Sequence, residues 1–263
     1  MALPSDTDLH AAGLAVDLTG PTLTLTLDKP DRRNSQTPRL WHTLAAIGEG
    51  LPEEVRVVVV RGAGACFSAG IDTRLLGPEG IEGESSVFEL MHGSDEEVLD
   101  TIDGYQRGFV WLSDPRFISI AAVHGHAIGA GFQLALACDL RVVADDVAFC
   151  MKEPALGLVP DLAGTKALVD LVGYSRALEI CATARYVGAD EARELGIATA
   201  VVPRAELDEA TSDLVEALLA SNAGAVRETN CLLQGAGRRD LEEQRLAERQ
   251  AQLRRFRELV GGA

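Results

Sequence analysis

Two glycine-centred turns, each of which follows a β-rich run, constrain the fold of this chain more than any other feature. Residues 67–72 follow the run 55–60. Residues 124–131 follow the run 118–123 and lead directly into an apolar stretch. Each turn can therefore present a backbone N–H at a strand end, the second at the positive end of a helix dipole. Two convergent N–H groups form an oxyanion hole, so the pattern predicts a site that stabilises negative charge on an oxygen.

The remaining local patterns predict an α/β core around these turns. Alternation in 14–18 and 22–27 predicts a hairpin closed at Gly20-Pro21, and a helix is expected over 37–47. The unbroken apolar runs 55–60 and 118–123 are typical of strands buried on both faces. We expect the other elements of the core to be a helix at 132–138 and strands at 139–143 and 147–150.

Two further segments differ in character from this core. Residues 77–103 are acidic and rich in Gly and Ser, which predicts a long loop followed by a helix at 105–112. After Pro203 the pattern is helical throughout, which divides the chain into a core, 1–203, and a helical C-terminal region, 204–263. The helices there are expected at 205–219, 223–233 and 241–259. In the last of them, apolar side chains need a surface to pack against, namely Leu241, Leu246, Leu253 and Phe256.

Composition limits the classes of partner. The 263 residues carry 24 basic and 40 acidic side chains, a formal charge of −16, which argues against nucleic acid or an anionic membrane as partner. The five cysteines show no metal-ligand spacing, so no metal site is predicted and a reduced, cytoplasmic protein is expected. The start of the chain lacks the pattern of a signal peptide or anchor, and no apolar run approaches the ~20 residues of a membrane span.

The order of motifs resembles the crotonase (enoyl-CoA hydratase/isomerase) superfamily, whose members bind acyl-CoA thioesters. The motifs are D-K-P-D-R-R-N-S, F-S-A-G-I-D, H-G-H-A-I-G-A-G-F and A-C-D-L-R, followed by the segments 153–161 and 163–165. The resemblance implies a ββα spiral core with a helical tail that packs in a homotrimer or hexamer. It also implies that loop 77–103 covers the acyl pocket, and the alternative is that this loop is a mobile surface insertion. Coenzyme A would be part of the substrate, so no separate cofactor is expected.

The resemblance also assigns residues to the site. The oxyanion donors correspond to the backbone N–H groups of Ile71 and Ala130. His126 is interpreted as a pocket-wall or packing residue, and Ser68 is not a nucleophile because no ordered Ser/His/Asp set accompanies it. The residues expected to contact substrate or CoA are Arg33, Ser68, Ala69, Gly70, Asp72, His126 and Gly129.

The acid/base positions separate the possible reactions. The hydratases that this chain resembles carry two catalytic glutamates. At the first of these two positions this chain has Gln133, whose amide cannot accept a proton at a useful pH. Glu153 keeps the second position and is the predicted general base, and Pro154 is expected to hold it in extended geometry. Asp161, eight residues beyond Glu153, resembles the second carboxylate of dienoyl-CoA isomerases, although those enzymes have aspartate at the position of Gln133. The alternative is that Asp161 caps a helix over 162–171.

We therefore expect an enzyme that shifts a double bond in an enoyl- or dienoyl-CoA. Glu153 would remove a proton, the Ile71 and Ala130 N–H groups would hold the enolate oxygen, and Glu153 or Asp161 would return a proton. The first alternative is hydration of a 2-enoyl-CoA, with Gln133 holding the water. A second is a non-enzymatic RNA-binding protein, which the acidic balance disfavours.

Overall fold

The protein, described here by a computed structural model over residues 3–261, has two β-sheets covered by helices. Within these residues the larger sheet has the strand order β1-β2-β3-β4-β6-β9, and the smaller has the order β5-β7-β8. The strands are β1 Leu14–Thr19, β2 Thr22–Leu27, β3 Val57–Gly62, β4 Ile118–Val123, β5 His126–Ile128, β6 Leu140–Ala144, β7 Ala148–Cys150, β8 Tyr186–Gly188 and β9 Ala200–Val202. The helices are α1 Asp6–Ala12, α2 Pro38–Glu49, α3 Val87–Leu90, α4 Asp95–Val110, α5 Ala130–Ala137, α6 Gly164–Val172, α7 Tyr174–Thr183, α8 Ala189–Glu194, α9 Leu207–Ala220, α10 Ala223–Ala236 and α11 Leu241–Gly261.

The predicted hairpin and the predicted buried strands are confirmed. β1 and β2 pair antiparallel, and Leu23, Leu25 and Leu27 on alternate positions of β2 are buried, as the alternation requires. From β2 onwards the large sheet is parallel, with β3 and β4 in its centre. Helices α2, α4 and α5 contribute to the core on one face of this sheet, and α9 covers part of the other face. Apolar side chains are therefore required on both faces of the central strands.

The parallel arrangement places both glycine-centred turns at one edge of the sheet. The turn at 67–72 lies beyond the carboxyl end of β3, and the turn at 124–131 lies beyond the carboxyl end of β4. Ligands of open α/β sheets bind at this edge. The repeated strand, turn and helix units are those of the predicted α/β spiral core.

The segment predicted as a loop over 77–103 is partly helical, and that prediction is wrong beyond Ser86. α3 begins after Ser86 and α4 begins after Ser94, each with a capping box in which a serine and a glutamate three residues later satisfy two backbone N–H groups. α4 therefore starts ten residues before the predicted position. Its apolar side chains Tyr105 and Phe109 are one helical turn apart and pack against α2.

The C-terminal helices follow the prediction closely. α9 packs on the sheet, whereas α11 packs along α10, with Ala251 buried and Arg254 paired with Glu228 at 2.7 Å. This arrangement leaves apolar side chains of α11 in solvent, including Leu241 at 74% exposure and Phe256 at 57%. Within residues 3–261, no helix combines the length and the apolar character that a membrane crossing requires. The division at residue 203 remains a prediction.

Candidate active site

The first turn is held in place by the segment that precedes α2. The Gln36 N–H donates to the Gly70 carbonyl at 2.8 Å, and the Asp72 N–H donates to the Gln36 carbonyl at 2.8 Å. These two bonds bracket Ile71, which is paired with Gln36 in an isolated parallel bridge. Within the described part of the chain, the Ile71 N–H has no hydrogen-bond acceptor. The turn therefore presents one free backbone donor at a fixed position.

Ser68 supports this turn from inside the protein. Its side chain is fully buried, and its hydroxyl donates to the Asn34 carbonyl at 2.7 Å. The same oxygen accepts from the Gln36 amide at 3.0 Å and from the Gly70 N–H at 3.2 Å. The hydroxyl is thus committed to the scaffold, in agreement with the prediction that Ser68 is not a nucleophile.

The second turn ends at the N-terminus of α5, which begins two residues earlier than predicted. Gly129, at φ +52°, precedes Ala130, the first residue of the helix. The Gly129 N–H donates to the Cys150 carbonyl, and the Gln133 N–H donates to the Gly129 carbonyl. The Ala130 N–H has no acceptor among residues 3–261.

The two turns touch, and glycine is required where they do. A Cβ on Gly70 would lie 2.4 Å from the Ile128 carbonyl oxygen and 3.5 Å from the Ala130 nitrogen. A Cβ on Gly131 would lie 2.6 Å from the Ser68 carbonyl oxygen. Distances this short exclude any side chain larger than hydrogen, so glycine permits the approach. The predicted oxyanion donors therefore belong to two neighbouring turns with unused N–H groups.

Glu153 lies beside the second turn with one carboxylate oxygen free. It is 9% exposed, and its Oε1 accepts from the Gln133 amide at 2.7 Å, whereas its buried Oε2 has no partner in the described residues. A Cβ on Gly129 would lie 3.2 Å from that Oε1. Glu153 begins a 3₁₀ helix, Glu153–Leu156, so the expected extended geometry before Pro154 is wrong. A buried carboxylate with one unpartnered oxygen has the form of a general base.

Gln133 connects Glu153 to the loop that contains Asp161. Its side chain is 1% exposed. While its Nε2 donates to Glu153, its Oε1 accepts from the Leu162 N–H at 2.9 Å and from the Gly164 N–H at 3.3 Å. The amide thus fixes the position of Glu153 Oε1 and uses its own acceptor oxygen on the backbone.

Asp161 is not a helix cap, and the capping interpretation is wrong. α6 begins at Gly164, and the residue at its N-cap is Ala163 in the left-handed region at φ +65°, with no side-chain cap. Asp161 is half-buried two residues before that cap, and the Gln106 side chain on α4 donates to its backbone carbonyl at 2.7 Å. The carboxylate is therefore available for another purpose.

Burial raises the pKa values of both carboxyl groups. Burial raises the pKa of Glu153 above its ordinary value, the Gln133 hydrogen bond offsets part of this rise, and the negative charge of Asp161 adds to it. Burial likewise raises the pKa of Asp161. A carboxyl group whose pKa is raised by burial is suited to proton transfer.

The other predicted contact residues have different surroundings. Hydrogen bonds from Arg74 lower the pKa of Asp72 to about 2, and the Asp72 carboxylate also caps the 3₁₀ helix Thr73–Leu76. Arg33 is exposed, and the half-buried Ala69 donates its N–H to the Arg33 carbonyl at 2.9 Å. Their contacts with substrate stay predictions.

The two histidines of the second turn have different surroundings, because Gly125 between them, at φ +55°, interrupts the extended geometry in which residues i and i+2 would share a face. His126 is exposed, with its ring edge-on to Tyr186 at 6.2 Å between centroids. His124 is buried, and its Nε2 lies 3.1 Å from the Gly64 carbonyl oxygen. The structure therefore places the predicted contact residue His126 at the surface, where it packs against an aromatic ring.

Sequence reasoning missed several residues that shape the site. Asn34, at φ +52°, and Gln36 are buried polar residues that support the first turn, and the Trp41 indole donates to Gln36 at 2.8 Å. Among the residues that the structure describes, the buried hydroxyls of Thr37 and Tyr105 have no hydrogen-bond partner. The only local signal was the presence of polar residues at 34–37 beside an apolar helix.

Comparison with known proteins agrees with this architecture. Residues 21–259 match the family model of enoyl-CoA hydratase/isomerase. A Thermobifida fusca YX protein provisionally named enoyl-CoA hydratase, solved in complex with CoA, is 49% identical with a TM-score of 0.95 over 99% of both chains. The same protein in complex with acetoacetyl-CoA is 50% identical with a TM-score of 0.94, covering 97% of this chain and 99% of that one.

Named relatives carry out different reactions. A peroxisomal Δ(3,5)-Δ(2,4)-dienoyl-CoA isomerase from Arabidopsis thaliana is 34% identical over 181 residues, which cover 68% of this chain and 64% of that protein. A carnitinyl-CoA dehydratase from Salmonella typhi is 33% identical over 218 residues, which cover 77% of this chain and 72% of that protein. The chain therefore belongs to the enoyl-CoA hydratase/isomerase family and is an enzyme of the crotonase superfamily with its α/β fold.

Proposed function

We propose that the enzyme shifts a carbon–carbon double bond within an enoyl- or dienoyl-CoA. The observation that carries this proposal is the position of Gln133. Its Oε1 accepts two backbone N–H groups and its Nε2 donates to Glu153, so the amide is occupied and Glu153 and Asp161 are left as the acid/base groups. Two carboxylates with raised pKa values suit proton removal from one carbon and proton return to another.

The proposed reaction proceeds through an enolate. Glu153 Oε2 accepts a proton from C2 of a 3-enoyl- or 3,5-dienoyl-CoA, and the electron pair of the C–H bond moves onto the thioester oxygen. The N–H groups of Ile71 and Ala130 donate hydrogen bonds to that oxygen. The enolate then collapses with a double bond at C2, and the carboxyl group of Glu153 or Asp161 returns a proton to C4 or C6. When Glu153 returns its own proton, both carboxyl groups end as they began. When Asp161, protonated at the start, donates instead, Glu153 ends protonated and its proton must pass to Asp161 before the next turnover.

The relatives support this substrate class. The Arabidopsis relative is named as a dienoyl-CoA isomerase, and the Thermobifida protein was solved with CoA and with acetoacetyl-CoA. Hydration of a 2-enoyl-CoA remains the second candidate, because several structural neighbours are named enoyl-CoA hydratases. That reaction needs a group that orients water, and the bonds of Gln133 leave one amide hydrogen for this purpose and no acceptor.

Asp161→Asn tests the proton relay. We expect it to lower isomerisation of a 3,5-dienoyl-CoA by at least about 10²-fold, because the amide cannot carry the proton. Isomerisation of 3-hexenoyl-CoA should fall less, because Glu153 alone can exchange a proton between C2 and C4. Absorbance assays on both substrates provide the measurement. Thermal melting serves as the folding control, and Asp161 caps no helix whose loss would confuse the result.

The two outcomes that contradict the proposal differ. Unchanged kinetics on both substrates would remove Asp161 from the mechanism and leave a single-carboxylate isomerase. If the wild-type protein isomerises neither substrate but hydrates crotonyl-CoA, the proposed isomerase function is wrong and hydration is favoured.

A further inference from the structure

Within residues 3–261, three buried side-chain polar atoms have no hydrogen-bond partner: Glu153 Oε2, Tyr105 Oη and Thr37 Oγ1. The free oxygen of Glu153 is explained by its proposed role as the base. The two hydroxyls belong to residues that are each 4% exposed. Buried hydroxyls without partners are uncommon and cost stability, so their presence calls for a function.

Thr37 is adjacent to the first oxyanion turn. It follows Gln36, whose N–H donates to the Gly70 carbonyl, and it occupies the N-cap position of α2 without making a side-chain cap. Its carbonyl accepts from the Trp41 N–H at 3.2 Å, and the Trp41 ring packs on the Tyr105 ring at 4.9 Å between centroids. Trp41 therefore links the two residues, because its N–H bonds to Thr37 and its ring packs on Tyr105.

Tyr105 is adjacent to the other side of the site. Its neighbour on α4, Gln106, donates to the Asp161 carbonyl at 2.7 Å. The segment that precedes α3 is anchored to the start of α2, because the Glu84 carboxylate accepts from the Arg39 N–H at 2.9 Å. The Ser85 hydroxyl lies near the Tyr105 hydroxyl but outside hydrogen-bond geometry. Tyr105 thus lies where α2, α4 and the turn of Asp161 meet.

The charge around the tyrosine restricts what can bind there. Burial raises the pKa of Tyr105, and the negative charges of Glu84, Asp161 and Glu89 raise it further. The phenol is therefore neutral and able to donate at physiological pH. The same carboxylates would repel an anionic group.

We propose that the hydroxyls of Tyr105 and Thr37 form a polar subsite in the acyl-binding region, and that this subsite binds a neutral oxygen, a ketone or a hydroxyl, on the acyl chain. This inference rests on the proposed acyl-CoA substrate and narrows it to oxygenated chains. A site built to hydrogen-bond an oxygen discriminates strongly against an analogue that lacks it, because its own polar groups are then left without partners.

Calorimetric titration with saturated acyl-CoAs, which cannot be isomerised, tests the subsite. The probes are hexanoyl- and octanoyl-CoA, their forms with a ketone on the penultimate carbon or a hydroxyl on the last carbon, and adipoyl-CoA. We expect at least one ketone or hydroxyl form to bind about tenfold more tightly than its parent. Adipoyl-CoA should bind more weakly than hexanoyl-CoA because of its carboxylate.

The variants Tyr105→Phe and Thr37→Val remove one hydroxyl each. In wild type we expect the oxygenated acyl-CoA to bind about tenfold more tightly than its unsubstituted parent. In each variant this difference in Kd should fall below about threefold. The matched control Tyr174→Phe, at a tyrosine that is 70% exposed, should retain the wild-type ratio. The melting temperature of Tyr105→Phe should not fall, because the lost hydroxyl has no partner. If one variant fails to fold, the other still reports.

Several outcomes overturn the subsite. One is a wild-type protein that binds no oxygenated form more tightly than its parent, and another is a ratio that persists in both variants. Turnover of 3-enoyl-CoA distinguishes this failure from failure of the proposed function. Normal turnover without discrimination refutes the subsite alone, discrimination without turnover refutes the isomerase alone, and absence of any acyl-CoA binding refutes both.

Discussion

At the scale of single residues, Gln133 determines which oxygen of Glu153, the proposed base, is free to accept a proton. Its amide occupies Glu153 Oε1 and leaves Oε2 as the oxygen that can accept a proton. We expect Gln133→Met to lower kcat by about 10- to 100-fold with a smaller change in KM, because a mispositioned base loses rate more than binding. Steady-state isomerisation measures both. A larger effect on KM than on kcat would contradict the positioning role.

Gln133→Glu provides the complementary substitution. The introduced carboxylate could still accept the Leu162 and Gly164 N–H groups, which stabilise its ionised form. The shared proton would then reside on Glu153, which creates the acid/base pair that hydration requires. We expect faster hydration of crotonyl-CoA than in wild type, with thermal melting as the folding control. If the variant hydrates crotonyl-CoA no faster than wild type, and wild type already hydrates as fast as it isomerises, the hydratase function is favoured.

Glu153→Gln should affect both catalysis and the pH dependence of stability. Isomerisation should fall by at least about 10²-fold with little change in acyl-CoA affinity. Burial raises the pKa of Glu153 above its ordinary 4.5, so the folded state holds this proton more tightly than the unfolded state. The resulting stabilisation is present below pH 4.5 and is lost as pH rises through the folded pKa.

Thermal melts between pH 4.5 and 8 measure this effect. The melting temperature of wild type should decline relative to that of Glu153→Gln as pH rises. A constant difference across this range would contradict the assignment of a raised pKa to Glu153. Activity of the variant within a few-fold of wild type would contradict its role as the base.

At the scale of elements, the proposed oxyanion hole depends on how closely α5 approaches the first turn. An exposed glycine-to-alanine change within a helix ordinarily stabilises a protein by about 0.5–1 kcal/mol. Gly131→Ala should do the opposite, because its Cβ would lie 2.6 Å from the Ser68 carbonyl oxygen. We expect a loss of about 1–3 kcal/mol in the free energy of unfolding and a large loss of kcat.

Gly237→Ala is the matched control for Gly131→Ala. Gly237 lies at the end of α10 with φ −70°, and no atom lies within 4 Å of its Cβ position. The substitution Gly237→Ala should therefore be neutral or slightly stabilising. Urea unfolding and steady-state kinetics of both variants provide the comparison, and equal stability of the two would refute the close approach.

Sequence alone predicted the elements whose signals are local. The alternation of β1 and β2 and the apolar runs of β3 and β4 indicated strands, because each pattern requires only its own burial. The glycine turns also indicated where the backbone approaches closely, whereas the assignment of Ile71 and Ala130 as oxyanion donors came from the family resemblance and stays a prediction.

The features of the fold and site that sequence did not predict depend on contacts between distant parts of the chain. α6 begins at Gly164 rather than at 162, and Gln133 on α5 accepts N–H groups on both sides of Ala163. The contact of the Trp41 ring with the Tyr105 ring arises from the packing of α2 on α4. No window of sequence contains both partners of such a contact, so neither feature could be predicted locally.

At the scale of the whole molecule, the formal charge of −16 acts against an anionic acyl-CoA. Long-range repulsion between exposed charges is screened beyond about 10 Å at moderate salt, whereas hydrogen bonds and helix termini within the site are not. Lowering the salt concentration should therefore slow association with CoA thioesters rather than accelerate it.

The C-terminal helix α11 carries apolar side chains that the rest of the described chain does not cover. α11 buries Ala251 against α10 but exposes a stripe of apolar side chains on another face, formed by Leu246, Leu253, Phe256 and Val260. Exposed apolar stripes of this kind favour burial against another surface. The predicted homo-oligomer, trimer or hexamer, would provide that surface through a second copy of this chain.

The double substitution Leu253→Glu with Phe256→Glu should dissociate this oligomer, because it places two charges on the stripe, where burial would leave them unpaired. Light scattering after size-exclusion chromatography should then report a monomer, and the melting temperature should lose its dependence on protein concentration. Leu253→Met with Phe256→Leu keeps the stripe apolar and should preserve the assembly. A wild-type protein that is already monomeric would contradict an oligomeric tail. An unchanged oligomer in the glutamate variant would assign the interface to another surface of the molecule.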